Sequence, residues 1–147
     1  MNLFTEIHGL VLTELAGLQA DGKLPDTLDF ANVAVEPPRD PAHGDMATNA
    51  AMVLAKPAGL QPRAIAENLA ARLLADDRIE SADVAGPGFL NLRLSSAVWH
   101  NVLQAALQHG EAFGRSTMGA GKKVNVEYVS ANPTGPLHVG HTRGAVF

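Results

Sequence analysis

Cysteine is absent from these 147 residues, which excludes a disulfide framework and any thiolate metal site. No apolar run approaches the 18 residues that a membrane-spanning helix needs. Met1 is followed by Asn2-Leu3-Phe4-Thr5-Glu6, with neither the basic start nor the cleavage pattern of a secretory leader. A soluble cytoplasmic protein is the expectation. Basic residues are also in deficit: Lys and Arg number 11 against 15 Asp and Glu, a net charge of −4. An acidic chain is poorly suited to gripping a phosphate backbone, where affinity comes largely from cations. Any RNA contact must therefore be local, or borrow basic surface from elsewhere. No internal repeat is present.

What is present suffices for a core: 46% of residues are hydrophobic and 18% charged, a globular balance. Leu3, Phe4, Ile7, Leu10, Val11, Leu15 and Leu18 recur at helical spacing, and Asp21-Gly22 ends that helix. Residues 31–36 alternate around Val33 and Val35 as a short strand, stopped by Pro37-Pro38, and 39–44 form a polar turn. The alanine-rich run 46–56 reads as a buried helix ended by Pro57-Ala58-Gly59. Pro62 opens another, with Ile65, Leu69, Leu73 and Leu74 as its stripe. Residues 79–85 and 89–94 read as strands around the turn Gly86-Pro87-Gly88, with Phe89, Asn91 and Arg93 on one face and Leu90, Leu92 and Leu94 on the other. Ser95 or Ser96 is expected to cap a last helix carrying Val98, Trp99, Val102, Leu103, Ala106 and Leu107, with Trp99 in the core, and Gly110 to end it.

Residues 1–110 thus predict an α+β domain, helices packed on a small, mostly antiparallel sheet, and 111–122 a glycine-rich linker. Residues 123–129 alternate poorly, as a strand buried on both faces does. A Pro/Gly turn and a helix start at His138 follow, which is how a nucleotide-binding Rossmann-like domain opens. One strand and part of one helix cannot fold alone.

The segment from Glu127 to His141 contains Ser130-Ala131-Asn132-Pro133-Thr134-Gly135-Pro136 ahead of His138-Val139-Gly140-His141. It resembles the first signature of class I aminoacyl-tRNA synthetases, and the residues ahead of that signature narrow the resemblance to arginyl-tRNA synthetases of the bacterial type. A helix N-terminus offers phosphates unpaired N–H groups and partial positive charge, and His138 and His141 share one face of its first turn. The resemblance implies that His138 and His141 act in catalysis and, with Gly140, bind ATP, accompanied by Mg2+. It also implies that Glu127, Ser130 and Asn132 line the arginine pocket, where a carboxylate and an amide suit the substrate. The alternatives are a pair of surface histidines, a two-ligand fragment of a zinc site, and an ordinary strand-edge carboxylate at Glu127. No resident metal is expected.

The preceding residues resemble the family's N-terminal domain through His43-Gly44-Asp45-Met46-Ala47-Thr48-Asn49 and Gly86-Pro87-Gly88-Phe89-Leu90-Asn91-Leu92. The resemblance implies contact with the D-loop of tRNA(Arg), a nucleotide being held by the residues that stand here as Phe89 and Asn91. Aromatic contact plus edge hydrogen bonds is how splayed loop bases are read. The alternatives are a core Phe89 and an Asn91 that only pairs with a neighbouring strand. Arg93 on the same face suits a phosphate. Asp45 and Asn49 are expected to cap and pack the second helix. His8, His43, His100 and His109 receive no role.

As a whole, the resemblance implies the front part of an arginine–tRNA ligase, a monomer acting on arginine, ATP and tRNA(Arg), with no membrane partner. The second signature and the anticodon-binding helices lie outside these residues, so the isolated chain is expected to be inactive and could self-associate. Residues 115–147 are expected to be its most mobile part. The competing readings are a free-standing tRNA-binding module and a structural or oligomerisation domain.

Overall fold

A computed structural model describes residues 2–38, 40–132 and 134–141. Arg39 of the expected polar turn, Pro133 of the motif and the continuation of the last helix through 147 lie outside them. The chain forms two compact units, Met1–Gly114 and Arg115–Phe147.

In the first unit, helix α1 spans Leu3–Ala20, with the Asn2 side chain accepting from the N–H of Thr5 as its cap. Strand β1 is Val35–Glu36, β2 Met46–Thr48, β3 Ile79–Ala85 and β4 Phe89–Leu94. Helices α2 (Ala50–Ala58), α3 (Pro62–Leu73) and α4 (Ser96–His109) complete the unit. The sheet order is β1-β2-β4-β3, every pair antiparallel. Helices α1, α2 and α3 bury Ile7, Leu15, Leu54, Ile65 and Leu69 against Met46, Leu90, Leu92 and Leu94 of the sheet. The expected α+β architecture of this unit is therefore present.

Several local expectations fail in this unit. Residues 46–48 are a strand and not the start of a helix. They fill the slot between β1 and β4, and ladder pairing overrides the helical preference of the alanine run. Only Val35–Glu36 of the 31–36 strand pairs; the chain before it turns through Val33 N–H to the Phe30 carbonyl. Ser95 makes no side-chain cap, and its buried Oγ has no partner. Trp99 is 45% exposed, because α4 places only Val98 in the core.

Two devices fasten the edges. The Arg72 guanidinium bridges Glu14 (2.7 Å) and Asp21 (2.8 Å), tying α3 to the end of α1. It lies directly over Gly17, where a Cβ would collide with it. At the α3–β3 turn Arg78 grips Asp76 through two side-chain bonds of 2.8 and 2.7 Å. That bond holds the Asp76 carboxyl below the usual carboxylate range, against the opposing effect of burial.

In the second unit, residues 123–129 form no strand, and Val124, Val126 and Tyr128 are exposed. A strand of the expected kind needs neighbours on both edges and cover on both faces. Among the described residues no strand is paired to these.

Gly44→Ala is expected to lower stability by about 1–3 kcal/mol. Its φ is +123°, and a Cβ there would sit 2.6 Å from the Leu92 carbonyl oxygen. Gly9→Ala, in open space on α1, is expected to raise stability by about 0.5–1 kcal/mol. Urea unfolding measures both. Asp76 contributes stability above the ordinary carboxylate pKa, and loses it as pH falls through the lowered folded value. The stability gap between the parent chain and Asp76→Asn is therefore expected to close in acid; urea midpoints between neutral pH and pH ~2 follow it.

Candidate functional site

On its helix-free face the sheet carries a groove of about 480 Å³. Phe89 and Asn91 of β4 line it together with Glu36, Ala47, His43 and Asn49. The period of two on β4 makes this possible: Leu90, Leu92 and Leu94 are buried, so the intervening residues point outward. Phe89 is 46% exposed and Asn91 half-buried. The structure thus brings Phe89 and Asn91 to one face, and Phe89 is not a core residue. The alternation also puts Arg93 on this face, opposite Ser81. Arg93 is exposed and makes no ion pair among the described residues.

The rim is held by side chains standing in for a ladder. Thr48, the buried polar residue of the described set, donates to the Ala34 carbonyl (2.8 Å) and accepts from the Ala50 N–H (3.2 Å). Asn49 occupies the α2 cap position without capping. Its Oδ1 accepts from the Ala34 N–H (2.8 Å), and its Nδ2 donates to the Asn32 carbonyl (3.2 Å). Asp45 likewise caps no helix; it accepts from the Leu94 N–H (2.8 Å) and so locks the far end of β4. The Asn91 side chain makes no hydrogen bond among the described residues.

The charge on this face has a pattern. Glu36 stands opposite Ala47, Ala47 opposite Asn91, and Asn91 opposite Asp83, so one row across all four strands puts a carboxylate on either side of Asn91. That row repels phosphate and leaves the amide for an uncharged polar edge. His43, given no role by the sequence, reaches the groove from a short 3-10 turn at Pro41–His43. Glu36 and His43 were not found by spacing, because only the pairing of β1 and β2 with β4 brings them beside Phe89. His8 instead bonds the Val33 carbonyl at 3.0 Å, and His109 the Ala105 carbonyl at 2.8 Å.

In the second unit, residues 139–141 begin a helical turn, closed by the His141 N–H on the His138 carbonyl (2.8 Å). His138 Nδ1 accepts from the Gly140 N–H, and His141 Nδ1 accepts from the His138 N–H, both at 3.2 Å. The rings stack with centroids 3.8 Å apart. The N3 ring reaches back to the N-cap N–H as in a capping box, while the N-cap ring takes the N2 N–H instead of the N3 one. Glu127, Ser130 and Asn132 are exposed and make no hydrogen bond among the described residues. No group of three or more His, Asp or Glu side chains is placed to hold a metal ion, and no helix is long and apolar enough to cross a membrane, among the described residues.

Residues 6–94 match the family described as arginyl tRNA synthetase N terminal domain. An arginine–tRNA ligase of Ruegeria pomeroyi is 74% identical over 147 residues, which is 100% of this chain and 25% of that protein. Those of Ruegeria sp. strain TM1040 and Paracoccus denitrificans are 73% and 69% identical over the same span and share. A solved structure of Thermus thermophilus arginyl-tRNA synthetase aligns with 97% of this chain and 21% of its own, at 26% identity and a TM-score of 0.49. The chain spans about a quarter of the length of the curated relatives it matches.

Thr48→Val keeps the shape of the side chain but strands the Ala34 carbonyl. It is expected to cost about 1–3 kcal/mol in urea unfolding and to speed amide exchange at residues 32–36 more than at β4.

Proposed function

The chain belongs to the arginyl-tRNA synthetase family through its N-terminal domain, and from that premise we propose that it supplies the tRNA-contacting domain and the first ATP signature of an arginine–tRNA ligase. The observation that carries the first part is the placement of Phe89, half-exposed beside Asn91 in a groove of the open sheet face. A D-loop base of tRNA(Arg) stacks on the Phe89 ring, and the Asn91 amide, both donor and acceptor, bonds its edge. The carboxylates flanking Asn91 keep phosphates away from that row, so the groove takes a base rather than the backbone. Arg93, farther along β4, is the group suited to a phosphate. Contact through one base is compatible with a net charge of −4, which a backbone-gripping surface is not.

The second part rests on His138-Val139-Gly140-His141 at a helical start. In the full ligase, residues 123–147 open the Rossmann-like catalytic domain. ATP and arginine react there to give arginyl-adenylate and pyrophosphate, and a hydroxyl of the terminal ribose of tRNA(Arg) then takes the arginyl group as the acyl–phosphate bond breaks and AMP leaves. The N–H groups of His138 and Gly140, now spent on imidazole nitrogens, are donors that phosphate oxygens accept. Each ring can donate to charge building on the α-phosphate. Glu127, Ser130 and Asn132 are assigned to the arginine. Mg2+ would accompany the ATP and offset the charge of its phosphates.

Titration of the chain with tRNA(Arg) at two salt concentrations tests the first part. Phe89→Ala is expected to weaken binding by about 1–3 kcal/mol, roughly 5- to 150-fold, and Asn91→Ala to weaken it as well. Arg93→Ala is expected to lower the salt slope by about 1. Affinity unchanged in both Phe89→Ala and Asn91→Ala would reject the groove as the site. For the second part, the 147-residue chain is expected to give no arginine-dependent ATP–pyrophosphate exchange, and turnover by it would refute the assignment of catalysis to the larger body.

A further inference from the structure

Val98 is the one residue that helix α4 buries, with Val102, Ala105 and Ala106 half-buried beside it. Trp99, Leu103 and Leu107 follow at four-residue intervals on one face, 45%, 59% and 77% exposed. Its 14 residues, SAVWHNVLQAALQH, include no Asp, Glu, Lys or Arg. A helix whose outer face meets water usually carries charge there, whereas depletion of charge around aromatic and aliphatic anchors marks the centre of a protein interface. Without Lys or Arg, this face has nothing to offer a phosphate backbone.

Two further observations identify what lies against it. The match to the N-terminal domain family ends at Leu94, two residues before α4 begins, so α4 falls outside the segment that defines the domain. The relatives that match the whole of this chain, α4 included, are proteins of which it forms about a quarter. We propose that the Trp99–Leu103–Leu107 face is a docking surface for the larger body of an arginine–tRNA ligase, the three-quarters of the relatives' length that this chain does not span. The helix is then the rigid element that fixes the tRNA-contacting domain on the catalytic body. The proposal rests on family membership and not on the groove reading, so either can fail without the other.

Hydrogen exchange read by mass spectrometry tests it in two proteins. One is the 147-residue chain; the other is the same residues joined in frame to the remaining three-quarters of the Ruegeria pomeroyi ligase. Amides of 96–109 are expected to exchange at least about tenfold more slowly in the joined protein, while β4 is protected alike in both. Leu103→Asp with Leu107→Asp is expected to return 96–109 of the joined protein to the fast rate, and to leave the urea midpoint of the 147-residue chain in place. Equally fast exchange in both proteins would overturn the proposal. So would protection in the 147-residue chain that grows with its concentration, which would make a second copy the occupant. An equal loss of stability from the double substitution in both proteins would overturn it too, since the face would then belong to the domain's own core.

Discussion

Strand β4 is hydrogen-bonded on both edges, to β2 on one side and β3 on the other, and that double pairing governs both the core and the groove. With its register pinned twice, Leu90, Leu92 and Leu94 have to face the helices, and Phe89, Asn91 and Arg93 have to face away. A one-residue slip would bury the amide and the guanidinium and expose three leucines, so it is excluded by the same burial that stabilises the unit. The close approach of Gly44 to the Leu92 carbonyl and the Asp45 bond to the Leu94 N–H hold the end of the strand remote from the groove. The site's geometry is in this sense a by-product of core packing.

How much of this was legible in the sequence depended on whether the signal was local. The spacing of α1, the proline start of α3 and the hairpin of β3 and β4 could all be read, because periodicity and turn chemistry lie within a few residues of the elements they define. Residues 46–48 could not: their composition favours helix, and only the vacancy between β1 and β4 makes them a strand. Trp99 misled for the opposite reason. It sits on an apolar stripe that the periodicity reports faithfully, but the unit covers only the Val98 edge of that stripe. The groove divides the same way. Phe89 and Asn91 could be placed on one face from a single strand's alternation, whereas Glu36 and His43 arrive from segments that only the fold makes neighbours. The strand expected at 123–129 depends on partners that these residues do not have.

The acidity that argued against RNA contact takes a different meaning on the folded sheet. Glu36 and Asp83 stand in the same cross-strand row as Asn91, so part of the negative charge is concentrated in one row of the groove face, where it disfavours another anion. Net charge describes the whole surface; a recognition groove feels only its own rows.

The sheet order also sets how unequally the two walls of the groove are tethered. The hairpin wall joins Ala85 to Phe89 across a short turn, while the opposite wall depends on β2 reaching β4, Met46 against Leu92. Closing the longer loop costs about 2 kcal/mol more chain entropy than closing the hairpin. The groove is therefore a composite of a local and a long-range contact. Its weaker seam runs between β2 and β4, and Glu36, His43 and Asn49 stand beyond it.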